Sequence, residues 1–466
     1  MKFIEILSLI LGIVMAVAYL YQIVYFMVGI GAEFRERLIT SKNPPLPGPK
    51  GSGKNRYAFV IAARNEANVV GHLIDSLHLQ TYPSELFDIF VIADNCDDDT
   101  AEVAGQAGAF VYERHNLEKK GKGYALTELF ENIKRDFGGY DAYDGYIVFD
   151  ADNIADSNLL HEMDKEFCKG HRVVTSYRNS KNFGTNWITS GYSVAFMREA
   201  QYLNRPRRIL NSSATVSGTG YLFSHEILTE NEGWPYHLLT EDLALTADLV
   251  VKGEKIGYAS GAVFYDEQPE KFSQSWKQRV RWTRGFYQVI YHYGKGLLKN
   301  MFKDRSMCLS RYDVFMFLAP SLLFNLATVG LSVLAVVLNI IDMNSASKLA
   351  PDVGLSFLSG IAGFYMLNLV QGAITVASEW KEIKATKGRK IASIFTYPLF
   401  MFTYIPISLV ALLVKPQWTP IAHGVTKSIE DINREGVETA RELSRENVKR
   451  RKEAVYTNDE LEETIE

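Results

Sequence analysis

Between Glu5 and Glu33 the chain runs for 27 residues without a charged side chain, more than the roughly 20 that cross the hydrocarbon core of a bilayer as a helix. A cleaved leader would have an apolar stretch of only about 7–15 residues closed by a small-residue cleavage site. This run is too long and has no such site, so it predicts a membrane anchor. Three later segments, 314–341, 353–378 and 391–414, are equally free of charge and long enough to span. Whatever lies between must fold beside a membrane. Arg35, Arg37, Lys42, Lys50, Lys54 and Arg56 follow the first run, against Lys2 alone before it, which places the next domain on the cytoplasmic side by the positive-inside rule. Lys381, Lys384, Lys387, Arg389 and Lys390 predict the same side for the loop at 379–390. Pro398 and Pro406 interrupt the last apolar segment, so a bent or re-entrant segment competes there with a straight span.

The stretch bracketed by these segments has a different grammar. After a Pro/Gly/Ser-rich linker at 43–53, runs rich in Val, Ile, Phe and Tyr at 57–62, 88–93 and 145–149 alternate with helical periodicity at 66–79 and 123–137. That order predicts an α/β domain with a mainly parallel sheet, helices on both faces, and a ligand site beyond the carboxyl ends of the strands. Asp94 and Asp150 fall at those ends. The net charge of -4 provides no basic field for nucleic acid. Cys96, Cys168 and Cys308 are odd in number and in no CxxC pair, against a disulfide framework or a zinc site.

Gly121-Lys122-Gly123 is too short for a phosphate loop. Acidic residues at strand ends are the stronger signal: Asp94, and the pair Asp150 and Asp152. Hard carboxylate oxygens suit Mg2+ or Mn2+, which bind through one or two carboxylates plus substrate phosphates. Taken alone, Asp-x-Asp is commonly a turn or cap. Thr240-Glu241-Asp242 reads equally well as a helix start, with Thr240 as cap and two acids complementing the dipole. Gln278, Arg281 and Trp282 lie in a stretch, 271–305, with nine Lys/Arg and one acid, which predicts an interfacial amphipathic helix.

Taken together and in order, Ala62-Ala63-Arg64-Asn65-Glu66, Asp94, Asp150-Ala151-Asp152, Thr240-Glu241-Asp242 and Gln278-x-x-Arg281-Trp282 resemble the processive family 2 glycosyltransferases, the group of cellulose, hyaluronan, chitin and poly-N-acetylglucosamine synthases. The resemblance implies a GT-A (Rossmann-like) α/β fold. It implies a UDP-sugar donor whose uridine and ribose are held by Ala63, Arg64, Glu66 and Asp94, with Lys122 nearby. Asp150 and Asp152 would serve Mg2+ or Mn2+ and the diphosphate. Asp242, with Glu241 beside it, would be the general base in an inverting displacement, and Arg281 with Gln278 would lie at the donor. Trp282, Ser217, Gly218 and Thr219 would line the acceptor site for a growing polysaccharide. Lys415-Pro416-Gln417-Trp418-Thr419-Pro420 resembles a tryptophan motif of related synthases near the catalytic entrance, which favours the re-entrant form of 391–414. The family has members with two N-terminal spans, and no segment here resembles the nucleotide-sensing barrel of cellulose synthases.

The expected division is an anchor at 1–34, a linker at 35–56, a catalytic domain at 57–270, interfacial helices at 271–312, a membrane or re-entrant region at 313–414 and a charged tail at 415–466. The resemblance points first to UDP-glucose and a β-glucan carried across the cell membrane, and second to UDP-N-acetylglucosamine. A non-processive transferase acting on a lipid carrier is the other enzyme reading. A transporter would need ionisable residues inside its spans, and the four segments have none. The expected partners are donor, polymer and lipid bilayer, with room for an accessory export or extracytoplasmic subunit and none for nucleic acid.

Overall fold

The structure, a computed structural model, describes residues 2–42, 53–319 and 346–414, with isolated positions at 330, 334, 416 and 431. It begins with one long helix, α1 (Lys2–Lys42). Tyr25 of α1 is buried and donates its hydroxyl to Asp313 at 3.1 Å, and Arg207 grips the same carboxylate at 2.6 and 3.0 Å. α1 is thus tied by the Tyr25 hydroxyl to a buried Arg207–Asp313 ion pair, an arrangement that is costly to break from one side.

Eight strands form one sheet: β1 (Tyr57–Ala63), β2 (Phe87–Asp94), β3 (Phe110–Arg114), β4 (Gly145–Asp150), β5 (Ile154–Ala155), β6 (Val173–Ser180), β7 (Tyr221–Ser224) and β8 (Gly257–Asp266). Their order is β3-β2-β1-β4-β7-β6-β8-β5. β1, β2, β3 and β4 are parallel, and β1 and β4 are near-continuous apolar runs because helices cover both faces. The second half departs from the mainly parallel expectation. β7 runs antiparallel to both β4 and β6, β5 antiparallel to β8, and β6 pairs parallel with β8 across a register shift at Ser176/Tyr177. The sheet is mixed.

The first face carries α2 (Val70–His78), α3 (Thr100–Gln106) and α5 (Leu159–Phe167); α4 (Lys122–Phe137) covers the other. Leu73, Ile74 and Leu160 pack against Ile61 and Phe149 on one side, while Leu126, Leu129 and Phe130 pack against Val60 and Val148 on the other. Alternate residues of one strand feed two cores, as a doubly covered sheet demands. α2 starts at Val70, later than the expected 66, because Glu66 to Val69 form a turn in which the Glu66 carbonyl accepts from the Val69 and Val70 amides.

α6 (Trp187–Glu199) opens with a capping box at Asn186 and Thr189 and passes through a π-helical turn, Ala200–Asn204, into α7 (Arg205–Ile209). After α8 (His225–Glu230) and α9 (Glu241–Lys252) comes the long α10 (Phe272–Asn300), carrying the glutamine, arginine and tryptophan of the last motif, then α11 (Cys308–Leu318). Beyond lie α12 (Ala346–Ser378), α13 (Lys387–Phe402) and α14 (Tyr404–Leu413). Pro406 has no amide to bond back to Phe402, and the helix breaks at Thr403. Arg279 of α10 reaches that break, donating to Thr403 Oγ1 at 2.5 Å and the Phe400 carbonyl at 3.4 Å.

Three stretches, Val17–Arg35, Leu358–Ser378 and Lys387–Leu413, are long and apolar enough to cross a membrane by length and composition. Most of 314–341, the linker at 43–52 and the tail with Trp418 lie outside the described residues.

Candidate active site

The carboxyl ends of β1, β2 and β4 open on the same edge, and two asparagines make the turns there. Asn65 and Asn95 adopt left-handed conformations, with φ of 56° and 54°, which Asn tolerates better than most residues. The two turns are tied together: the Asp97 amide donates to Asn65 Oδ1 at 2.8 Å and the Glu66 amide to Thr100 Oγ1 at 2.8 Å. Ala63, Arg64, Glu66 and Asp94 are thereby brought to one place. Asp94 is buried and takes Arg114 Nη1 at 2.5 Å and Asn95 Nδ2 at 2.7 Å on one oxygen. Burial pushes its carboxyl up, opposed by Arg114 and then Arg64. Arg114 was not anticipated from sequence; it lies at the end of β3 and is the cation that keeps Asp94 oriented.

The second group forms at the end of β4. Lys122, first residue of α4, donates to Asp150 Oδ1 at 2.5 Å and to the Gly218 carbonyl at 2.8 Å, with Glu241 at 3.7 Å. Gly123 makes this possible: a Cβ there would stand 2.2 Å from the Tyr236 carbonyl oxygen, so only glycine lets α4 start so close to that backbone. Burial disfavours the Lys122 ammonium, yet Asp150 and Glu241 offset it and hold its pKa above the usual value.

Glu241 and Asp242 occupy the first turn of α9, as the helix dipole favours. Thr240 does not cap through its side chain; its hydroxyl is buried without a partner among the described residues. The turn owes its shape instead to two contacts. The Gly218 amide donates to Asp242 Oδ2 at 2.6 Å, and Gly285 of α10 packs against Thr240, so closely that a Cβ would lie 2.5 Å from Thr240 Cγ2. Burial drives the Glu241 carboxyl up to about 7, Lys122 opposing and Asp242 assisting. Burial raises Asp242 as well, restrained by the backbone amides of Leu243 and Gly218. A buried carboxylate held by backbone amides, with a second acid beside it, is suited to accept a proton near neutral pH.

The third group is on α10. Arg281 faces the same acids; burial lowers its pKa against Glu241, Asp150 and Asp242, and its Nη1 donates to the Leu239 carbonyl at 3.3 Å. Gln278 accepts from the Tyr192 hydroxyl at 2.9 Å. Trp282 is half-buried, edge-on to Tyr192 at 5.8 Å and near Phe196 at 6.3 Å, beside Phe400 and Tyr404 of the broken helix. Ser217, Gly218 and Thr219 bridge the groups: the Asp150 amide donates to Thr219 Oγ1 at 2.8 Å, and that hydroxyl donates to Asn153 at 2.6 Å.

Asp150 and Asp152 stand one residue apart at the strand end, and Asp152 is buried. Among the described residues no three His, Cys, Asp or Glu side chains gather as a metal cage. Two carboxylates that leave the remaining positions to phosphate oxygens are still the donor set that suits Mg2+ or Mn2+. The residues therefore fit such an ion when a diphosphate accompanies it.

Three acidic or basic groups went unread in the sequence: Arg178, Glu199 and Asp266. Arg178 Nε donates to Asp266 Oδ2 at 2.9 Å, its Nη2 making a second, shorter bond, and its guanidinium lies 3.7 Å from the Phe196 ring centroid. Burial pushes Asp266 up to about 6 against that pairing. None of the three belongs to a local motif, and no sequence signal marks them.

Residues 55–285 match the family described as glycosyltransferase like family 2. Among curated relatives, a probable glycosyltransferase of Sulfolobus acidocaldarius is 23% identical over 67% of this chain and 64% of its own length. A beta-monoglucosyldiacylglycerol synthase of Synechocystis is 25% identical over 55% and 52%, and a poly-beta-1,6-N-acetyl-D-glucosamine synthase of Staphylococcus epidermidis 24% identical over 58% and 62%. The chain spans between half and two thirds of the length of these relatives.

Proposed function

Since residues 55–285 are a family 2 glycosyltransferase domain, we propose that this protein is a membrane-bound, inverting transferase of GT-A fold that moves a hexose from a UDP-sugar onto the end of a growing polysaccharide. The observation that carries the reading is the placement of the Asp242 carboxylate: one oxygen is held by the Gly218 amide, Lys122 bridges Asp150 toward Glu241, and Trp282 lies on the neighbouring helix. In this mechanism Asp242 takes the proton of an acceptor hydroxyl as that oxygen bonds to the anomeric carbon. The bond from that carbon to the diphosphate breaks at the same time, and UDP leaves with the electron pair. Lys122 and Arg281 answer the charge gathering on the leaving group. A Mg2+ or Mn2+ ion at Asp150 and Asp152 would supply further charge neutralisation there. Asp94 and the Ala63–Glu66 turn hold the uridine, and the Trp282 ring holds the acceptor sugar by its face.

The donor proposed first is UDP-glucose, giving a β-glucan, and UDP-N-acetylglucosamine second; relatives with glucosyl and N-acetylglucosamine names support testing both. Purified full-length protein in sealed vesicles, given each UDP-sugar separately with Mg2+ or Mn2+, should make a long polymer protected inside the lumen. Trp282→Ala should shorten that polymer while leaving UDP affinity intact. Single-sugar products on lipid would overturn the processive reading in favour of a lipid-glycosylating transferase.

A further inference from the structure

Along its first half, one flank of α10 is covered by α14: Trp276, Val280 and Tyr287 pack with Ile407 and Ala411, and Arg284 donates to the carbonyls of Ala411 and Leu412. α14 ends at Leu413. The same flank then continues without it, because Tyr291 and Leu298, and Phe302 in the turn that closes the helix, follow Arg284 and Tyr287 at spacings of three, four and seven residues, which keep to one side of a helix. Tyr291 is 82%, Leu298 50% and Phe302 85% exposed, while Val289, Leu297 and Met301 on the opposite flank are buried. A row of large apolar side chains held out by a well-packed helix marks a contact surface.

The neighbours of this row identify what it meets. Lys295, Lys299, Lys303 and Arg305 are exposed beside it, and the one acid in 291–305, Asp304, is taken by the Ser306 amide and hydroxyl, both at 2.9 Å. Rings and aliphatic chains interleaved with lysines suit the headgroup layer of a bilayer, with the apolar groups at the acyl boundary and the ammonium groups at lipid phosphates. The level agrees with the charge. α11 begins at Cys308, shortly after Phe302, and its Tyr312 donates to the Ala18 carbonyl of α1 at 2.8 Å and lies edge-on to Tyr21 at 5.5 Å, with Tyr25 edge-on to Tyr21 at 5.4 Å. Ala18, Tyr21 and Tyr25 belong to the stretch Val17–Arg35, long and apolar enough to cross a membrane, and clustered tyrosines are typical of a bilayer interface. α14, which covers the first half of the flank, belongs to another such stretch, Lys387–Leu413.

We propose that the face formed by Tyr291, Leu298 and Phe302 is seated on an anionic bilayer leaflet, with Lys295, Lys299 and Lys303 on lipid phosphates. The inference rests on the membrane-bound reading given above and is independent of donor and product. Its consequence is mechanical. The seat holds the far end of the helix whose Gly285 packs against Thr240, so the lipid surface helps to keep α10 in place beside the acids.

Lipid quenching tests the seat without requiring turnover. Leu298→Cys, in full-length protein with Cys96, Cys168 and Cys308 replaced by Ser, is labelled with an environment-sensitive fluorophore and placed in nanodiscs containing nitroxide lipids of shallow or deep label position. Ile13→Cys, at an exposed position of α1, is the membrane control and should be quenched by the deep label. Shallow nitroxide should quench the label at 298, and more strongly with phosphatidylglycerol in place of phosphatidylcholine. Replacing Lys295, Lys299 and Lys303 by Gln should remove that difference, each lysine at an anionic surface shifting the seated fraction about fivefold. Salt at 1 M, where the Debye length is about 3 Å, should do the same. No quenching at 298 with the control quenched would overturn the seat, and equal quenching in both lipids would overturn its anionic character. Energy transfer between labelled copies in place of lipid quenching would make the face a self-association surface, and quenching seen only after removal of 416–466 would give it to the chain's own tail; either result overturns the proposal. An unquenched control would overturn the membrane-bound reading itself and the seat with it.

Discussion

In the proposed mechanism Asp242 is the base, and two opposing influences act on it: burial that favours its neutral form and backbone amides from Gly218 and Leu243 that favour its charge. Asp242→Asn keeps the volume and removes the proton acceptor. Transfer should fall about 10²–10⁴-fold, as for loss of a general base, while UDP binding measured by titration persists; wild-type turnover in the variant would leave Asp242 a helix-end acid only. Its neighbour determines the pH at which this base is available. Glu241 is pushed up to about 7 by burial, with Asp242 adding to the rise, so the two titrate as a pair. A raised carboxyl pKa means protonation as pH falls through the neutral range, so kcat/KM should drop on its acid side near pH 7 and not near the ordinary carboxylate range. Glu241→Gln takes away a like charge and should move that limb to lower pH. A wild-type limb close to pH 4 would refute this account of the pair.

At the level of elements, the site depends on α10 lying tightly on the start of α9. Gly285→Ala would place a Cβ 2.5 Å from Thr240 Cγ2 and 2.6 Å from its hydroxyl, and neither a β-branched side chain nor the helix start behind it gives way without displacing Glu241 and Asp242. Turnover should fall at least about tenfold, since small misplacements of reacting groups are costly. UDP affinity, which the proposed function assigns to the ends of β1 and β2, should hold. If Gly285→Ala is fully active, α10 does not set the geometry of the acids. The same contrast explains what could be read in advance. β1 and β4 are near-continuous apolar runs and β2 becomes one after Asp88, so the acids that end β2 and β4 could be placed in advance at one sheet edge. β6 contains buried Ser176, Asn179 and Ser180, β7 has only four residues, and β8 contains a Ser-Gly pair near its register shift. Neither period nor composition marks such strands. Arg178 and Asp266 become neighbours only through the pairing of β6 with β8, which no local pattern encodes. Thr240-Glu241-Asp242 illustrates the opposite case: its acids were read correctly as a helix start, but the expected Thr240 cap is replaced by the packing of Gly285.

For the whole molecule, the open question of which side 391–414 ends on is constrained by how α13 and α14 lie. Phe400 sits on Gly191 of α6, where a Cβ would be 2.5 Å from its ring. Arg279 bonds the Phe400 carbonyl and Thr403, Tyr287 donates to the Ser408 carbonyl at 2.9 Å, and Arg284 donates to the carbonyls of Ala411 and Leu412 at 3.3 Å. Successive turns of the broken helix thus contact α10 from its motif residues onward. The Arg284 bonds satisfy two carbonyls that the helix end leaves open, which a lipid-facing helix could not tolerate unpaired. A straight span would carry Leu413 to the far side of the bilayer, whereas a helix that follows α10 returns it to the side of the catalytic domain. Leu413 is 87% exposed and Cys168 is exposed on the catalytic unit, so the protein contains its own reference. With Cys96 and Cys308 replaced by Ser and Leu413→Cys introduced, a membrane-impermeant maleimide should label position 413 in the same vesicle orientation in which it labels Cys168. Labelling of 413 only in the opposite orientation would mean that the segment spans the bilayer. A returning helix would instead keep Trp282, the acids and the end of α14 on one surface, where α10 can hold a polymer end beside the membrane between successive transfers.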